Sequence, residues 1–298
     1  MAYSRYRRRR TTRRPGRRPA RATRYRRKSG YYPRIKGRKP MTRRRILNVT
    51  SKKKQDNMAP VVTSPTGGNA TPGPYGYSAF GGTPTVQAAM FVWCPTARDR
   101  IPFGDDVTSV ATRNSDLCYM RGLKETILMQ TNSAVPWRWR RVCFTAKGFY
   151  NFRSGAVDSF ENSNGWTRLL TDQRPTSYGA AIRAAIFRGQ EGVDWNDVMT
   201  AKLDSGRITV KYDVTRTINS GNQTGVLRTF KMWHPMNKNL LYGNDEQGDS
   251  ETADLHSTLG RAGMGDFYVL DFLQAAGFAL AGDSLSFNPE ATLYWHEK

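Results

Sequence analysis

Cysteine and histidine are scarce in this chain of 298 residues. The three cysteines and three histidines stand far apart, at Cys94, Cys118, Cys143, His234, His256 and His296. Such spacing fits neither a disulfide framework nor a zinc site with paired C-x-x-C ligands, so we expect the cysteines to be buried thiols. The P-loop, H-E-x-x-H and G-x-S-x-G patterns are missing as well. The sequence therefore predicts no catalytic residue, no metal ligand and no cofactor.

Long apolar runs are also lacking. No window approaches the roughly 20 continuous apolar residues that a membrane-spanning helix needs. The N-terminus has no apolar segment of the kind found in secretory signal peptides. We expect a protein that is neither secreted nor embedded in a membrane, and that has no membrane partner.

Negative charge is missing from one end of the chain. Residues 1–54 contain 24 Lys and Arg and no Asp or Glu, whereas residues 55–298 contain the other 23 basic residues and all 24 acidic ones. The first segment therefore carries +24 and the remainder −1, which together give the formal net charge of +23. The sequence describes a polycation joined to a nearly neutral body, not a generally basic protein.

The polycation lacks the apolar residues that would offset the entropy cost of folding, so residues 1–58 are predicted to form a disordered, Arg-rich arm. Its tyrosines offer rings for unstacked bases while its arginines neutralise phosphates, which favours single-stranded nucleic acid as the ligand. A solubilising or ribosome-like tail is the alternative. The predicted nucleic-acid-binding residues of the arm are Arg5, Arg7, Arg8, Arg9, Arg10, Arg13, Arg14, Arg17, Arg18, Arg21, Arg24, Tyr25, Arg26, Arg27, Lys28, Tyr31 and Tyr32.

Two basic clusters at the end of the arm suit nuclear import, although any DNA-binding arm would contain such clusters. The predicted nuclear-targeting residues are Arg43, Arg44, Arg45, Lys52, Lys53 and Lys54. Residues 59–84 are rich in Gly and Pro and are predicted to be a linker. That linker is either flexible or an ordered loop laid along a neighbouring subunit.

The rest of the chain, residues 85–298, reads as strands separated by turns. Eight strands are predicted, at 85–94, 117–131, 137–150, 181–189, 207–218, 226–234, 266–273 and 284–296. One helix is predicted at 194–203, with Asp194 or Asn196 as its N-cap. Strands spaced by long loops over this length favour an all-β fold, a single eight-stranded jelly roll carrying the disordered arm.

Two charged segments of the body allow two interpretations each. Trp137 and Trp139 alternate with arginines at period two, and Arg138, Arg140 and Arg141 are predicted either to touch DNA or to pair with acidic residues at subunit contacts. The acidic segment 244–254 is a divalent-cation site, a solvated loop or the partner of a basic patch. Its spacing does not match an EF-hand loop, which favours the last two interpretations.

Five segments together resemble one protein family: RRRILNVTSKKKQDNM at 43–58, FVWCPTARDR at 91–100, CYMRGLKETI at 118–127, PWRWRRVCF at 136–144 and WHPMNKNLLYGNDEQGD at 233–249. They are similar to the capsid proteins of genomoviruses, the gemycircularvirus-like relatives of geminiviruses. The resemblance runs through nearly the whole chain and is strongest from 43 to 249.

The resemblance implies a structural protein and not an enzyme. It implies that the chain self-associates into a T=1 icosahedral capsid of sixty copies around circular single-stranded DNA. It also implies host nuclear import receptors as partners, and the virion and the host cell nucleus as locations. A non-viral nucleic-acid-compacting or ribosomal-type binding protein is the alternative, because it would share the arm without assembling into a shell. A nuclease that uses the acidic segment with Mg²⁺ is a third hypothesis.

Overall fold

Antiparallel β-sheets dominate the described part of the chain. A computed structural model describes residues 41–68, 70–72, 77–81, 88–100, 109–252 and 254–298. Arg43–Lys298 form one structural unit. None of the described helices is long and apolar enough to cross a membrane.

Two α-helices and sixteen strands follow one another along the described residues, with one short 3-10 helix at Phe149–Phe152. The elements are α1 Arg43–Thr50, β1 Lys52–Met58, β2 Pro60–Val62, β3 Thr71–Pro72, β4 Tyr77–Phe80, β5 Ala89–Trp93, β6 Leu117–Thr131, β7 Trp137–Ala146, β8 Glu161–Asn162, β9 Gly165–Trp166, β10 Arg168–Leu169, α2 Ser177–Ile186, β11 Thr209–Ile218, β12 Leu227–Leu241, β13 Glu246–Gln247, β14 Ser250–Glu251, β15 Asp266–Ala275 and β16 Ser284–Glu297.

The long strands form two sheets. In the five-stranded sheet the order is β1, β16, β6, β12, and β4 pairs with β16 along the same edge as β1. The four-stranded sheet has the order β11, β7, β15, β5. Every pair within these two sheets is antiparallel. The predicted all-β class is confirmed.

The two sheets pack face to face. One buried cluster joins Trp93 and Phe267 of the four-stranded sheet to Met120, Leu293 and Trp295 of the five-stranded sheet. Such interdigitation of inward side chains is how two sheets bury a common core.

The two sheets differ in what covers their other faces. The four-stranded sheet is buried on both sides, because Tyr178, Ile182 and Ile186 of α2 pack against Phe144 and Phe272. On the other face of the five-stranded sheet no helix of the described residues packs, and β16 accordingly alternates between buried and half-exposed positions along most of its length. Period-two burial is expected where one face of a strand meets a core and the other meets solvent.

Seven predicted strands coincide with or overlap observed ones. The strand at 117–131 has the predicted limits, as Leu117–Thr131. The strand predicted at 226–234 extends to Leu241, and the one at 137–150 ends at Ala146. The strand predicted at 85–94 is observed as Ala89–Trp93, and residues 85–87 lie outside the described part.

The predicted strand at 181–189 is wrong, because α2 occupies Ser177–Ile186. Thr176 caps this helix: its Oγ1 accepts a hydrogen bond from the Gly179 backbone N–H at 3.0 Å. The four-residue spacing of Tyr178, Ile182 and Ile186 then places all three on one face, towards the sheet.

The predicted helix at 194–203 is also wrong, since this segment consists of turns and isolated bridges. Asp197 organises one of those turns. Its Oδ1 accepts from the backbone N–H of Met199 at 2.8 Å, and its carbonyl accepts from the N–H groups of Thr200 and Ala201. An aspartate that bonds its own downstream backbone in this way favours a turn over a continuing helix.

The predicted domain limits need correction as well. Disorder over 43–58 is wrong, because α1 and β1 occupy this range, and the β-body begins at Lys52 and not at residue 85. The described parts of the predicted linker are not flexible connections: Pro60–Val62 pairs with β10, and Tyr77–Phe80 pairs with β16. The cause is long-range pairing within the same chain, which offsets the local preference for disorder.

Candidate nucleic-acid interface

The arm residues predicted to bind nucleic acid lie outside the described residues. They are Arg5, Arg7, Arg8, Arg9, Arg10, Arg13, Arg14, Arg17, Arg18, Arg21, Arg24, Tyr25, Arg26, Arg27, Lys28, Tyr31 and Tyr32. Their role stays a prediction from the sequence.

The predicted nuclear-targeting clusters fall on α1 and β1. Arg43, Arg44 and Arg45 begin α1, and Lys52 and Lys53 are exposed at the start of β1. Lys54, the next residue of β1, is buried.

Lys54 points into the body. Its Nζ lies 3.3 Å from the Glu297 carboxylate and donates to the Thr112 carbonyl at 2.6 Å, and both charged side chains are 3% exposed. An import receptor needs accessible basic side chains, so the predicted targeting role is wrong for Lys54 in the folded chain.

The Trp-Arg run on β7 alternates as predicted. Trp137 and Trp139 belong to a core cluster between the two sheets, whereas Val142 and Phe144 belong to the cluster under α2. Because β7 is the second strand of a sheet covered on both sides, its arginines must find partners inside the protein.

Arg141 lies at the centre of a buried ionic cluster formed by Arg141, Glu125, Arg168 and Asp271, here called the ionic quartet. Its Nε and Nη2 donate to the two carboxylate oxygens of Asp271 at 2.7 and 2.8 Å, and its Nη1 pairs with Glu125. Arg168 bridges the same carboxylates, at 2.7 Å to Asp271 and 3.1 Å to Glu125. All four side chains are at most 1% exposed.

The ionic quartet joins elements that are distant in sequence. Glu125 belongs to β6 of the five-stranded sheet, Arg141 and Asp271 belong to the four-stranded sheet, and Arg168 belongs to β10. The Trp139 indole N–H donates to Asp271 at 2.8 Å, and the Arg168 guanidinium lies 4.3 Å from the centre of the Trp93 ring. The quartet therefore links one sheet to the other across their common core.

Protonation in the quartet follows from these contacts. Burial by itself would raise the pKa of Asp271, but the guanidinium groups of Arg141 and Arg168 hold that pKa below its usual value. Burial would likewise lower the pKa of Arg141, yet Asp271 and Glu125 raise it. Asp271 and Arg141 therefore each favour the charged form, despite their low exposure.

Arg140 is also committed to partners within the chain. Its Nε and Nη2 donate to both oxygens of Asp213 at 2.8 Å, and its Nη1 donates to the carbonyls of Val198 and Ala201. Its side chain is 5% exposed. A bidentate pair of this kind leaves little of the guanidinium for another ligand.

The DNA-contact prediction is therefore wrong for Arg140 and Arg141, and so is its alternative of pairing across a subunit contact. Arg138 differs, because its side chain is 40% exposed while its Nη2 pairs with Asp197 at 3.0 Å. A DNA contact by Arg138 stays a prediction.

Within the acidic segment, β13 and β14 pair as a small hairpin at 246–251. Arg100 pairs with Glu251 of this hairpin and lies 3.1 Å from Asp116. Among the described residues, no group of three or more His, Cys, Asp or Glu is arranged to hold a metal ion. The pairing agrees with the interpretation of the segment as the partner of basic side chains.

The three cysteines are buried and unpaired, as predicted. Burial raises the pKa of Cys94, Cys118 and Cys143. Neutral thiols at these positions act as small apolar groups in the core.

The chain matches no protein-family model, and a search of curated proteins found no match.

The face of the five-stranded sheet that no described helix covers carries basic and aromatic side chains which, apart from Lys53, sequence analysis did not single out. We call it the open face and define it by Lys53, Tyr119, Arg121, Lys124, Lys231, Trp233, Tyr294 and His296. The signal for these residues is their alternation with core residues, as in β6, where Tyr119 and Arg121 flank the buried Met120. That signal becomes readable only when it is known which sheet has an uncovered face.

Two ring pairs lie on the open face. The Trp233 and Tyr294 rings are 5.8 Å apart between centroids, and the Tyr119 and His296 rings are 6.0 Å apart. Trp233 is 48% exposed although it lies against the sheet. Its ring rests over Gly122, where a Cβ would come within 2.7 Å of the indole, so glycine permits this close approach.

Positive charge accompanies the rings. Lys53, Arg121, Trp233, Tyr294 and His296 line a groove of about 380 Å³. Partial burial lowers the pKa of His296, and Arg121 and Lys53 lower it further. The imidazole is therefore neutral near pH 7, in a locally positive field.

Proposed function

We propose that this chain is a viral capsid protein, which self-assembles into a small icosahedral shell and packages circular single-stranded DNA through its N-terminal arm. The observation that carries the proposal is the order of the eight long strands. The eight strands are, in chain order, β1, β5, β6, β7, β11, β12, β15 and β16. When they are numbered one to eight in that order, the two sheets have the strand orders 1-8-3-6 and 2-7-4-5. This order supports a jelly roll, the architecture of many viral capsid domains.

The distribution of charge supports the same proposal. A body with a net charge of −1 can pack beside copies of itself with little electrostatic repulsion, while 24 basic residues at one end suit a polyanionic cargo. The buried pairs of Arg140, Arg141 and Arg168 add to this separation, because basic residues of the body are neutralised by its own carboxylates.

The genomovirus resemblance supports the particular cargo and the location. On this proposal the shell is a T=1 particle of sixty copies, the cargo is a circular single-stranded genome, and import receptors bring the protein into the host nucleus. The protein is a structural component of the virion and not an enzyme.

Electron microscopy of the purified full-length protein, combined with nuclease protection, tests the proposal. We expect closed, uniform shells that protect single-stranded DNA from nuclease. Dispersed monomers coating DNA would overturn the capsid function in favour of a nucleic-acid-compacting protein. Metal-dependent cleavage of DNA would instead identify a nuclease.

A further inference from the structure

We propose that the open face is a second DNA-contact site, which stacks the bases of single-stranded DNA on Trp233 and Tyr294 while nearby cations hold the phosphates. The inference rests on the proposed function, because it assumes the same cargo. It goes beyond that function by placing a base-binding site on the folded body, separate from the arm.

The exposed rings are the first argument. Burying an indole normally stabilises a fold, yet Trp233 is 48% exposed and lies beside the half-buried Tyr294. Flat rings at the surface of a sheet, flanked by positive charge, are the usual platform for unstacked bases. Because every base has a π face, such a platform binds with little dependence on sequence.

The arrangement of charge is the second argument. In the sheet register Lys124 lies opposite Trp233 on one side and Thr292 on the other, and Lys231 lies opposite Thr126 in the neighbouring row. Lys53 lies opposite His296 at the other edge. Cations therefore stand on both sides of the rings.

Among the described strand residues of this face, one is acidic: Glu290, which is exposed and lies opposite Thr126, in the same row as Lys231. It lies two positions along β16 from Thr292, beyond the row that contains Trp233. The charge beside the rings is therefore positive, which suits phosphates and would repel a basic peptide.

Continuity of the chain is the third argument. Residues 1–42 are joined through α1 to β1, which forms an edge of the open face and carries Lys53. The sequence that carries the predicted arm therefore enters the folded body at the edge strand that contributes Lys53 to the open face. The outer face of the four-stranded sheet does not offer the same site, because α2 covers it.

Photochemical cross-linking of the full-length protein to an oligonucleotide of 5-iododeoxyuridine tests the proposal. We expect cross-linked peptides from 227–241 or 284–298, in addition to any from the arm. Cross-links confined to residues 1–42 would overturn it. A stronger yield with the matching iodouridine RNA would overturn the assignment to DNA.

Titrations with oligo-dT at several salt concentrations separate stacking from charge. Trp233→Ala should weaken binding about tenfold at every salt concentration and leave the salt slope unchanged, whereas Trp233→Phe should keep most of the affinity. Arg121→Gln should instead reduce the slope of log K against log salt by about 0.7, as expected for one phosphate contact. Equal affinity of Trp233→Ala and the wild type at all salt concentrations would overturn the proposal.

Two control variants keep the readout specific. Phe278→Ala removes a 71% exposed ring outside the open face, and Lys202→Gln removes an exposed cation outside it. Neither should change affinity or salt slope.

Shell formation is scored separately by microscopy: cross-linking without shells contradicts the capsid function alone, and shells without cross-links to the open face contradict this inference alone. Loss of shells in Trp233→Ala with unchanged cross-linking would make the face a contact between copies and overturn the inference.

Discussion

Replacing Arg141 by methionine distinguishes a role in the core from a role in binding DNA. The substitution removes one cation of the ionic quartet and leaves Asp271 and Glu125 to share Arg168 in a site at most 1% exposed. Breaking a buried ion pair by removing one partner typically costs about 3 to 5 kcal/mol, because an uncompensated charge stays buried. We expect the free energy of unfolding to fall by this order of magnitude.

The corresponding shift in melting temperature follows from the size of the folded unit. For a domain of about 250 residues, 1 kcal/mol corresponds to about 2 °C. Arg141→Met should therefore melt roughly 6 to 10 °C below the wild type. The measurement is far-UV circular dichroism during heating of the full-length protein, at a concentration low enough to keep chains apart.

Arg138→Met is the matched control, because Arg138 lies on the same strand with a side chain that is 40% exposed. Exposed ion pairs contribute at most about 1 kcal/mol, so this variant should melt within about 2 °C of the wild type. If Arg141→Met melts like the control and weakens DNA binding instead, the assignment of Arg141 to the core is wrong.

Four further predictions concern pH, the arm, import and cargo. Burial and the neighbouring Arg141 guanidinium lower the pKa of His234 to about 4. The neutral imidazole should therefore stabilise the fold above pH 6.5, and this stabilisation should be lost as the pH falls from 6.5 to 4. In urea titrations, the free energy of unfolding of His234→Gln should therefore fall by about 3 kcal/mol less than that of the wild type over this pH range. If the two free energies change in parallel with pH, the assignment is wrong. Deleting residues 1–42 should leave the circular dichroism spectrum and the shells intact but strongly reduce nuclease protection of DNA, because most of the positive charge is lost. Deleting 1–58 also removes β1 and should lower the melting temperature, and equal melting of the two variants would show that β1 adds no stability. Residues 1–60 fused to a fluorescent protein should concentrate in nuclei, and cytoplasmic retention would refute the targeting role. Residues 1–53 hold 23 basic residues without the paired Lys54, so sixty copies would carry about 1,380 positive charges. The DNA extracted from particles should then be on the order of 1,500 to 2,500 nucleotides, and recovery of RNA or long duplex DNA would contradict this.

Local sequence patterns predict a strand and its limits correctly where one face of the strand meets the core and the other meets solvent. The sequence at 117–131 alternates apolar and polar residues and contains β-branched and aromatic side chains, and Leu117–Thr131 is a strand with those limits. The segment at 181–189 misleads, because its isoleucines and phenylalanine suit a strand as well as a helix. Its alanines and the cap at Thr176, five residues upstream, favour the helix that forms.

Partners far away in sequence explain the remaining errors. Three consecutive lysines at 52–54 predict disorder, yet Lys54 meets Glu297 and the strand pairs with β16. Arg140 and Arg141 resemble a DNA-binding run until Asp213 and Asp271 are brought beside them by neighbouring strands. No local pattern contains this information, because it depends on which strands become neighbours.

The pairing of β1 with β16 also dictates when the chain can finish folding during its synthesis. The Thr292 hydroxyl donates a hydrogen bond to the Asn57 side chain across 235 residues, so β1 has no partner in its sheet until nearly the whole chain has been made. At about 5 to 20 residues per second, translation alone delays this step by roughly 10 to 50 seconds. Contacts of such high sequence separation also slow folding itself. During this interval the polycationic segment has already emerged from the ribosome while the sheet edge that anchors it is still missing, so nascent chains would meet cellular RNA before their final edge strand is in place.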